Sequence, residues 1–189
     1  MVDDSSQKRW EQLERRTVYR SRIFDVVQQV SLSPRSGAHH TFFLLQTCDW
    51  VNVIPLTEAN EVIFVRQFRH GIDDFTLEIP GGMMDHSDRS AQDAALRELV
   101  EETGYTSENV TSLGSIDPNP AIQSNRCHTF LARNVVQSTQ PQLDNTEDCE
   151  VVRIPLNDVP QLIRNGSITH SLVVVAFHWL LLHHSSSET

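Results

Sequence analysis

The chain has 189 residues, 39% of them hydrophobic, which suits one domain of ordinary size with a packed core and a small appendage. Its formal charge of −10 and its pI of about 5.3 argue against nucleic-acid binding as the main activity, because that binding needs clustered positive charge. No repeat, low-complexity tract or long linker divides the chain.

The predicted elements begin with β-like runs at residues 17–30 and 41–46, which are separated by turn-forming residues 33–37. These runs predict a small antiparallel unit at the N-terminus. Residues 50–56 and 61–67 are two further β-rich runs joined by a short turn, a pattern typical of a hairpin.

A third strand of this central group is predicted at residues 76–79, and Pro80 with the two glycines after it ends the strand. A helix is predicted to begin near Ser90, where Asp93 completes an imperfect capping box, and to end at Gly104. Further strands are predicted at residues 127–134 and 150–154, and further helices at residues 156–164 and 171–182. This order of elements favours a layered α/β domain.

The cysteines are odd in number and lack the spacing of a metal site, which favours reduced thiols in a cytoplasmic protein over a disulfide framework. They are Cys48, Cys127 and Cys149, and we interpret them as small buried hydrophobic residues. The start of the chain lacks the apolar segment of a signal peptide, so none is expected. The apolar run at residues 172–182 is interrupted by His178 and is shorter than the roughly 20 residues of a membrane span, so we expect no membrane contact.

The helix predicted after Ser90 carries three glutamates, Glu98, Glu101 and Glu102, beside Arg97. At about 100° per residue the three carboxylates share one narrow face of the helix. The opposite face is apolar and consists of Ala95, Leu96, Leu99, Val100 and Thr103. Because like charges at these spacings repel, a compensating cation is expected. Magnesium binds carboxylates, waters and substrate phosphates, so the pattern indicates a magnesium site.

The segment around this helix resembles the Nudix box, G-x5-E-x7-R-E-U-x-E-E-x-G-U, in which U is apolar. The second half of the box matches at Arg97, Glu98, Leu99, Glu101, Glu102, Gly104 and Tyr105. The first half departs from it: counted from Gly82, the first glutamate is replaced by Asp88, and eight residues instead of seven separate it from Arg97. In the family that glutamate mainly braces the loop, so we expect the extra residue to be absorbed in the turn before the helix.

The flanks of the box are more specific. Residues 65–71, Val-Arg-Gln-Phe-Arg-His-Gly, and residues 77–82, Leu-Glu-Ile-Pro-Gly-Gly, resemble the ADP-ribose pyrophosphatase branch of the Nudix hydrolases. This resemblance implies that Arg69 contacts the diphosphate or the terminal ribose of the substrate, and that Glu78 lies near the metal ions. A solvated strand face is the alternative interpretation for Arg69, and it is the preferred one for Arg66.

The same resemblance implies that Glu98, Glu101 and Glu102 bind Mg²⁺, or Mn²⁺ in its place, together with a backbone carbonyl at Gly82. Glycine also lets a ligand approach the backbone closely, although a strand-to-loop turn would need glycine equally. Glu102 and Arg97 are counted among the catalytic residues. We expect Arg97 to hold the carboxylates in fixed rotamers and not to touch the substrate.

A second acidic segment, residues 144–150, resembles the loop from which the ADP-ribose branch supplies a catalytic glutamate. Glu147 is the candidate for this role, and Glu150 is the competing choice. Without the resemblance, a solvated loop would be the preferred interpretation of such a charge run.

The resemblance as a whole implies a magnesium-dependent pyrophosphohydrolase that cleaves ADP-ribose, or a related nucleoside diphosphate sugar, into a nucleoside monophosphate and a sugar phosphate. The fold would be the Nudix α/β/α sandwich with a mixed sheet, plus the small N-terminal antiparallel β unit. The alternatives are a Nudix hydrolase of another nucleoside diphosphate or dinucleotide, and a non-catalytic nucleotide-sensing Nudix module. The intact second half of the box argues against the non-catalytic module.

We expect residues 1–47 to form the N-terminal β unit, residues 48–184 the catalytic domain and residues 185–189 a tail. The N-terminal strands are too few to be stable alone in water, so their apolar side chains need a surface to cover. Those side chains are Ile23, Phe24, Val26, Val27, Phe42 and Phe43. In the ADP-ribose branch the surface is often the partner subunit of a two-fold dimer, so we expect a homodimer. Packing on the same chain's catalytic domain is the alternative.

Overall fold

The computed structural model describes residues 8–143 and 148–186. Contacts between these residues divide them into two compact units. The first unit contains residues 8–48 and Asp117–Asn125, and the second contains Asp49–Ile116 and residues 126–186. The N-terminal strands therefore group with a later segment of the chain, which no feature of the sequence had marked.

The first unit is a three-stranded antiparallel sheet with its strands in chain order. The strands are β1 (Glu11–Arg20), β2 (Asp25–Leu32) and β3 (His39–Gln46). The expected antiparallel unit is confirmed, and a turn divides the β-like run at residues 17–30 between β1 and β2. The turn between β1 and β2 is closed by the Ser21 hydroxyl, which accepts the N–H of Phe24 at 3.0 Å. Because this turn contains neither glycine nor proline, the strongest turn signals are missing from the sequence.

The second unit is built on a mixed sheet. Its strands are β4 (Trp50–Leu56), β5 (Glu61–Arg69), β6 (Asp74–Glu78), β7 (Gly81–Met83), β9 (Asn109–Ile116), β10 (Cys127–Arg133) and β12 (Cys149–Pro155). The main path through the sheet is β12-β5-β4-β10-β9, with β6 paired to β5 and β7 paired to β4. Strand β10 runs parallel to β4, and the other described pairs are antiparallel. A separate short ladder joins β8 (Tyr105–Thr106) to β11 (Val136–Gln137).

Helices cover both faces of the mixed sheet. They are α1 (Ala91–Thr103), α2 (Val159–Arg164), which follows a short 3₁₀ helix (Leu156–Asp158), and α3 (Ser171–Ser186). Leu99 of α1 belongs to one apolar cluster with Val53 and Ile63, and Phe177 of α3 belongs to a second cluster with Phe64. Neighbouring residues of a strand point to opposite faces, so Ile63 and Phe64 place these clusters on the two sides of the sheet. The expected α/β/α sandwich with a mixed sheet is confirmed.

Both ends of α1 follow the sequence prediction. The Ser90 hydroxyl accepts the N–H of Asp93 at 3.1 Å, a cap that contributes about 1 kcal/mol. Gly104 ends the helix in the left-handed conformation, with φ at 74°, and donates its N–H to the carbonyl of Val100. A β-carbon at Gly104 would also collide with the carbonyl oxygen of Thr139, so the position needs glycine for both reasons.

The structure contains elements that the sequence patterns did not predict. The glycine pair, interpreted as part of a turn, lies in strand β7 opposite Asn52 and Val51 of β4. Strand β9 was missed because it is rich in small polar residues and contains Gly114, against which the indole of Trp179 packs. Helix α3 continues past residue 182 to Ser186, and none of the described helices is long and apolar enough to cross a membrane.

The cysteine environments differ from the prediction. Cys127 is buried as expected, and its burial raises the thiol pKa to about 12. Cys48 is exposed and Cys149 is half-buried, so the interpretation as buried hydrophobic residues is wrong for these two. All three are outside disulfides. The cytoplasmic location of the protein stays a prediction.

Candidate active site

The candidate site lies where β4 and β5 separate. These strands pair with each other at Leu56 and Val62. Beyond that point β5 pairs with β6, and β4 pairs with β7. We call this region the fork. Glu78 is the last residue of β6 and Gly81 the first of β7, so the two positions flank the fork. Helix α1 packs on β4 and β7 and brings its carboxylates to the same place.

Two of the three α1 glutamates are buried against the glycines of β7. Glu98 and Glu102 are 7% and 3% exposed. Glu102 Oε2 accepts the backbone N–H of Gly81 at 3.2 Å. A β-carbon at Gly82 would lie 2.5 Å from Glu98 Oε1, so a larger residue would displace that carboxylate. The apolar face of α1 is buried at Ala95, Leu99 and Thr103, and β7 additionally buries two residues of the acidic face, which the helix periodicity alone does not reveal.

Arg97 contacts two of the three glutamates on its own helix, as expected. Its Nη1 donates to Glu98 at 2.9 Å and to Glu101 at 2.8 Å, and its Nη2 donates to the carbonyl of Met83 at 3.1 Å. Hydrogen bonding to Asp88 and the neighbouring glutamates raises the pKa of Arg97 despite its partial burial. The permanently charged guanidinium of Arg97, with its several N–H donors, thus fixes the rotamers of these acids.

Asp88 braces the loop before α1. Its carboxylate accepts from Arg97 Nε at 3.1 Å and from Arg97 Nη2 at 3.0 Å, and it also accepts the N–H of Asp85 at 2.7 Å. These hydrogen bonds, Arg97 first, hold the pKa of Asp88 below its ordinary value. The loop therefore accommodates the extra residue of the box while a shorter carboxylate still reaches the arginine.

Arg69 and Glu78 form a bidentate pair. Arg69 Nε and Nη2 donate to the two carboxylate oxygens of Glu78 at 2.7 and 2.8 Å. Burial raises the pKa of Glu78, but hydrogen bonds from Arg69 and Thr76 outweigh it and hold the pKa below its ordinary value. The hydrogen bond to Glu78 raises the pKa of Arg69, and the nearby charge of Glu102 on α1 raises it further.

Arg66 is exposed, in agreement with the solvated-face interpretation. It pairs with Glu150 at 3.7 Å on the neighbouring strand β12 and lies over the ring of Phe75. Glu150, the competing catalytic choice, is thereby engaged with a surface arginine. Glu147, the preferred candidate, lies outside the described residues, so its role stays a prediction.

His170 is a neighbour of the site that the sequence analysis missed. It directly precedes α3, and its Nε2 lies 3.7 Å from Glu78 Oε2. A single histidine before an apolar helix carries no distinctive motif, so only its position as the residue before the helix start could have drawn attention to it.

The donor chemistry of α1 fits a hard divalent cation, since it consists of carboxylate oxygens beside a backbone that glycine leaves accessible. The described residues contain no group of three or more His, Cys, Asp or Glu side chains already converged on one point. The described contacts account for this, because Arg97 engages Glu98 and Glu101 while Glu102 turns to Gly81. The residues therefore fit a divalent cation in the type of their donor atoms.

Comparison with known proteins agrees with this geometry. The NUDIX domain family model matches residues 48–173. An ADP-ribose pyrophosphatase from Bacillus subtilis (strain 168) is 31% identical over 133 residues, which cover 70% of this chain and 71% of that protein. An ADP-sugar pyrophosphatase from Mus musculus is 29% identical over 175 residues, which cover 85% of this chain and 75% of that protein.

A solved structure of an ADP compounds hydrolase shares the fold, with a TM-score of 0.85 at 23% sequence identity and coverage of 96% of this chain and 97% of that chain. Nudix hydrolases generally need a divalent metal ion, which agrees with the oxygen-rich face of α1. The family match, the curated relatives and the box residues gathered at the fork lead to one conclusion: the chain belongs to the Nudix family, as a hydrolase similar to the ADP-ribose pyrophosphatases.

Proposed function

We propose that this Nudix hydrolase cleaves ADP-ribose, or a closely related nucleoside diphosphate sugar, into a nucleoside monophosphate and a sugar phosphate. One water is consumed: its oxygen bonds to one phosphorus, the bridging P–O bond breaks, and two phosphomonoesters result. The observation that carries the proposal is the placement of the Arg69–Glu78 pair beside the buried carboxylates Glu98 and Glu102 at one fork. The names of the curated relatives support the substrate class.

The cofactor we infer is Mg²⁺, with Mn²⁺ as a possible substitute. Glu98, Glu101 and Glu102, with the backbone carbonyl at Gly82, would hold it. When bound, such an ion neutralises diphosphate charge and lowers the pKa of a bound water. The remaining contributions come from the chain itself.

Each chain residue has a distinct role in this proposal. Arg97 keeps Glu98 and Glu101 oriented through the contacts described above, and Asp88 keeps Arg97 and the preceding loop in place. Arg69 presents its guanidinium, with 42% of the side chain exposed, to the diphosphate or the terminal ribose. Glu78 fixes the direction of that guanidinium, and Glu147 would act as general base, a role typically worth ~10²–10⁴-fold in rate.

A product-release assay tests the substrate class. Phosphomonoester release would be measured for ADP-ribose, other nucleoside diphosphate sugars and dinucleotides, each with magnesium and with EDTA. We expect magnesium-dependent release that is fastest for ADP-ribose or another nucleoside diphosphate sugar. Faster release from a dinucleotide would replace the substrate assignment, and binding of nucleotides without any release would favour the non-catalytic sensing module.

We also infer a homodimer, based on the apolar side chains of the first unit. Every residue of β1 is exposed, and several large apolar side chains of this unit face solvent in the single chain. They are Trp10, Leu13, Val18, Tyr19, Ile23, Phe42 and Phe43. Contiguous exposed apolar surface commonly marks a protein interface, so we expect these side chains to be covered in the assembled protein. Sedimentation velocity at micromolar concentration is expected to show a dimer.

A matched pair of variants tests the location of the interface. Phe43→Ser should shift the full-length protein toward monomer, whereas Leu181→Ser removes a similarly exposed apolar side chain from α3 and should leave the dimer intact. A monomeric parent protein with full turnover would contradict the dimer and leave the substrate assignment standing.

A further inference from the structure

His170 is held in one tautomer by the start of α3. Its Nδ1 accepts the backbone N–H of Leu172 at 3.2 Å, and its carbonyl accepts the N–H groups of Val173 and Val174 at 3.1 Å. A ring nitrogen that accepts a hydrogen bond carries no proton, so the neutral imidazole carries its proton on Nε2. The helix start therefore decides which ring nitrogen can donate.

The protonated nitrogen faces a buried carboxylate. Nε2 of His170 lies 3.7 Å from Oε2 of Glu78, which is 4% exposed. The other groups at this carboxylate are Arg69, which donates to both oxygens, and the Thr76 hydroxyl, which donates to Oε1. Glu78 is thus hydrogen-bonded from β5 and from within β6, and the start of α3 places His170 as a third neighbour at 3.7 Å.

We propose that His170 is a positioning residue, which restrains Glu78 so that Arg69 keeps one direction toward the substrate diphosphate. The substrate side of this inference rests on the proposed function. The restraint itself would be a property of the free protein, because Arg69 donates to Glu78 and His170 lies beside the same carboxylate without any substrate.

Restraint of Arg69 matters because its guanidinium is planar. A bidentate contact with Glu78 fixes both the position and the plane of the guanidinium, and the plane decides which of its donors point away from Glu78. Without the group on Nε2, the Oε2 side of the carboxylate loses a neighbour, and the pair gains freedom to rotate. The expected consequence is weaker binding of the diphosphate and a smaller change in the chemical step.

Two roles of His170 must be separated: capping α3 and restraining Glu78. Asparagine places a polar atom where Nδ1 lies and is a preferred capping residue, but it is too short to reach Glu78. Glutamine places an amide nitrogen near the position of Nε2 and can donate to Glu78, but it caps helices poorly. His170→Asn therefore preserves the cap, and His170→Gln preserves the donor.

The kinetic experiment compares these two variants with the parent and with His178→Asn, the same substitution at an exposed position of α3. We expect His170→Asn to raise KM for ADP-ribose about tenfold with a smaller change in kcat, and His170→Gln to keep a KM near that of the parent. Thermal melting should show the opposite order, with His170→Gln the less stable variant. Parent-like KM in His170→Asn would overturn the proposal and leave only the cap.

A second readout does not depend on turnover. In ¹⁵N spectra of the metal-free protein in EDTA, His170 should show an unprotonated Nδ1 and a protonated Nε2, and the Nε–H signal of Arg69 should be protected from solvent exchange. In His170→Asn that protection should fall, and in His170→Gln it should persist. Unchanged protection in His170→Asn would refute the restraint. If the parent hydrolyses no nucleoside diphosphate sugar, the proposed function fails, and these spectra alone decide the role of His170.

Discussion

The two arginines at the fork differ in the number of carboxylates to which they donate hydrogen bonds. Among the residues that the structure describes, Arg97 donates to three acids, Asp88, Glu98 and Glu101, whereas Arg69 donates to one, Glu78. The Arg69 pair is neutral as a unit, and its geometry is bidentate. The group around Arg97 carries excess negative charge even before Glu102 is considered.

This difference separates two tasks. Excess negative charge held in fixed rotamers attracts a divalent cation, because each added carboxylate increases the favourable interaction with it. A neutral bidentate pair gains little from a cation, and its guanidinium can instead be aimed at an anionic substrate. The site therefore contains one half with excess negative charge, around Arg97, and one half that is neutral, the Arg69–Glu78 pair.

The largest effect is expected for Glu102→Gln, because Glu102 is a buried carboxylate of α1 that lies against Gly81 of β7. Glutamine can still accept the N–H of Gly81, so the fold should persist, but the charge that attracts a cation is lost. Turnover of ADP-ribose at saturating magnesium should fall on the order of 100-fold or more. Circular dichroism controls for folding, and turnover within about twofold of the parent would exclude Glu102 from the metal site.

A packing change on the same helix should reduce stability and leave turnover unchanged, the opposite of what is expected for Glu102→Gln. Leu99 is fully buried, so Leu99→Ala should cost roughly 2–5 kcal/mol of unfolding free energy. The folded fraction should keep its turnover, because no charged group of the fork is altered. Urea denaturation and assays below the unfolding transition measure both quantities, and loss of turnover without loss of stability would mean that α1 acts on the site through its packing.

Removal of each arginine tests the charge comparison directly. Arg97→Gln should destabilise the protein in EDTA by about 1–3 kcal/mol, discounted because Arg97 is partly exposed, and magnesium should restore part of that loss. Arg69→Gln should also destabilise the metal-free protein, since it leaves Glu78 unbalanced, but magnesium should restore less. Melting temperatures measured with and without magnesium give the result. If magnesium restored the stability of both variants equally, the proposed difference between the two arginines would be wrong.

Among the charged residues around Arg97, Asp88→Asn should reduce turnover far less than Glu102→Gln does. If Asp88 only braces the loop, the loss should stay within about tenfold, far below that of Glu102→Gln. Equal losses would place Asp88 in the metal site.

The same variant has a pH signature. Because the folded-state pKa of Asp88 lies below its ordinary value of 3.8, its stabilising contribution is present above that value and is lost as pH falls through the folded-state pKa. Asp88→Asn should therefore flatten the acid limb of the stability curve. An acid limb identical to that of the parent would contradict the Arg97–Asp88 contact.

The box predicted α1 well because its signals are local. Ser90, Gly104 and the glutamate spacing depend on a few neighbouring residues, and the structure has the helix ends where the sequence placed them. The burial of Glu98 and Glu102 depends instead on β7, a three-residue strand whose pairing with β4 is decided by tertiary contacts. Periodicity within one helix carries no information about such a neighbour.

The same limit applies elsewhere in the chain. The fork exists because the pairing of β5 with β4 ends after Leu56 and Val62. No residue type in the sequence indicates where such a ladder of hydrogen bonds ends. The split between β1 and β2 was missed for want of glycine or proline at residues 21–24. The role of His170 needs three elements to meet at Glu78, which only the folded chain reveals.

The unequal burial of the three thiols makes the protein suitable for site-directed spectroscopy. Cys48 is exposed and ends the N-terminal segment of the first unit, and the second unit begins at Asp49. Cys127 should resist alkylation because its pKa is raised to about 12 by burial. With Cys149→Ser as background, a fluorescent or spin label would attach at Cys48 and report on local motion of the chain between β3 and β4.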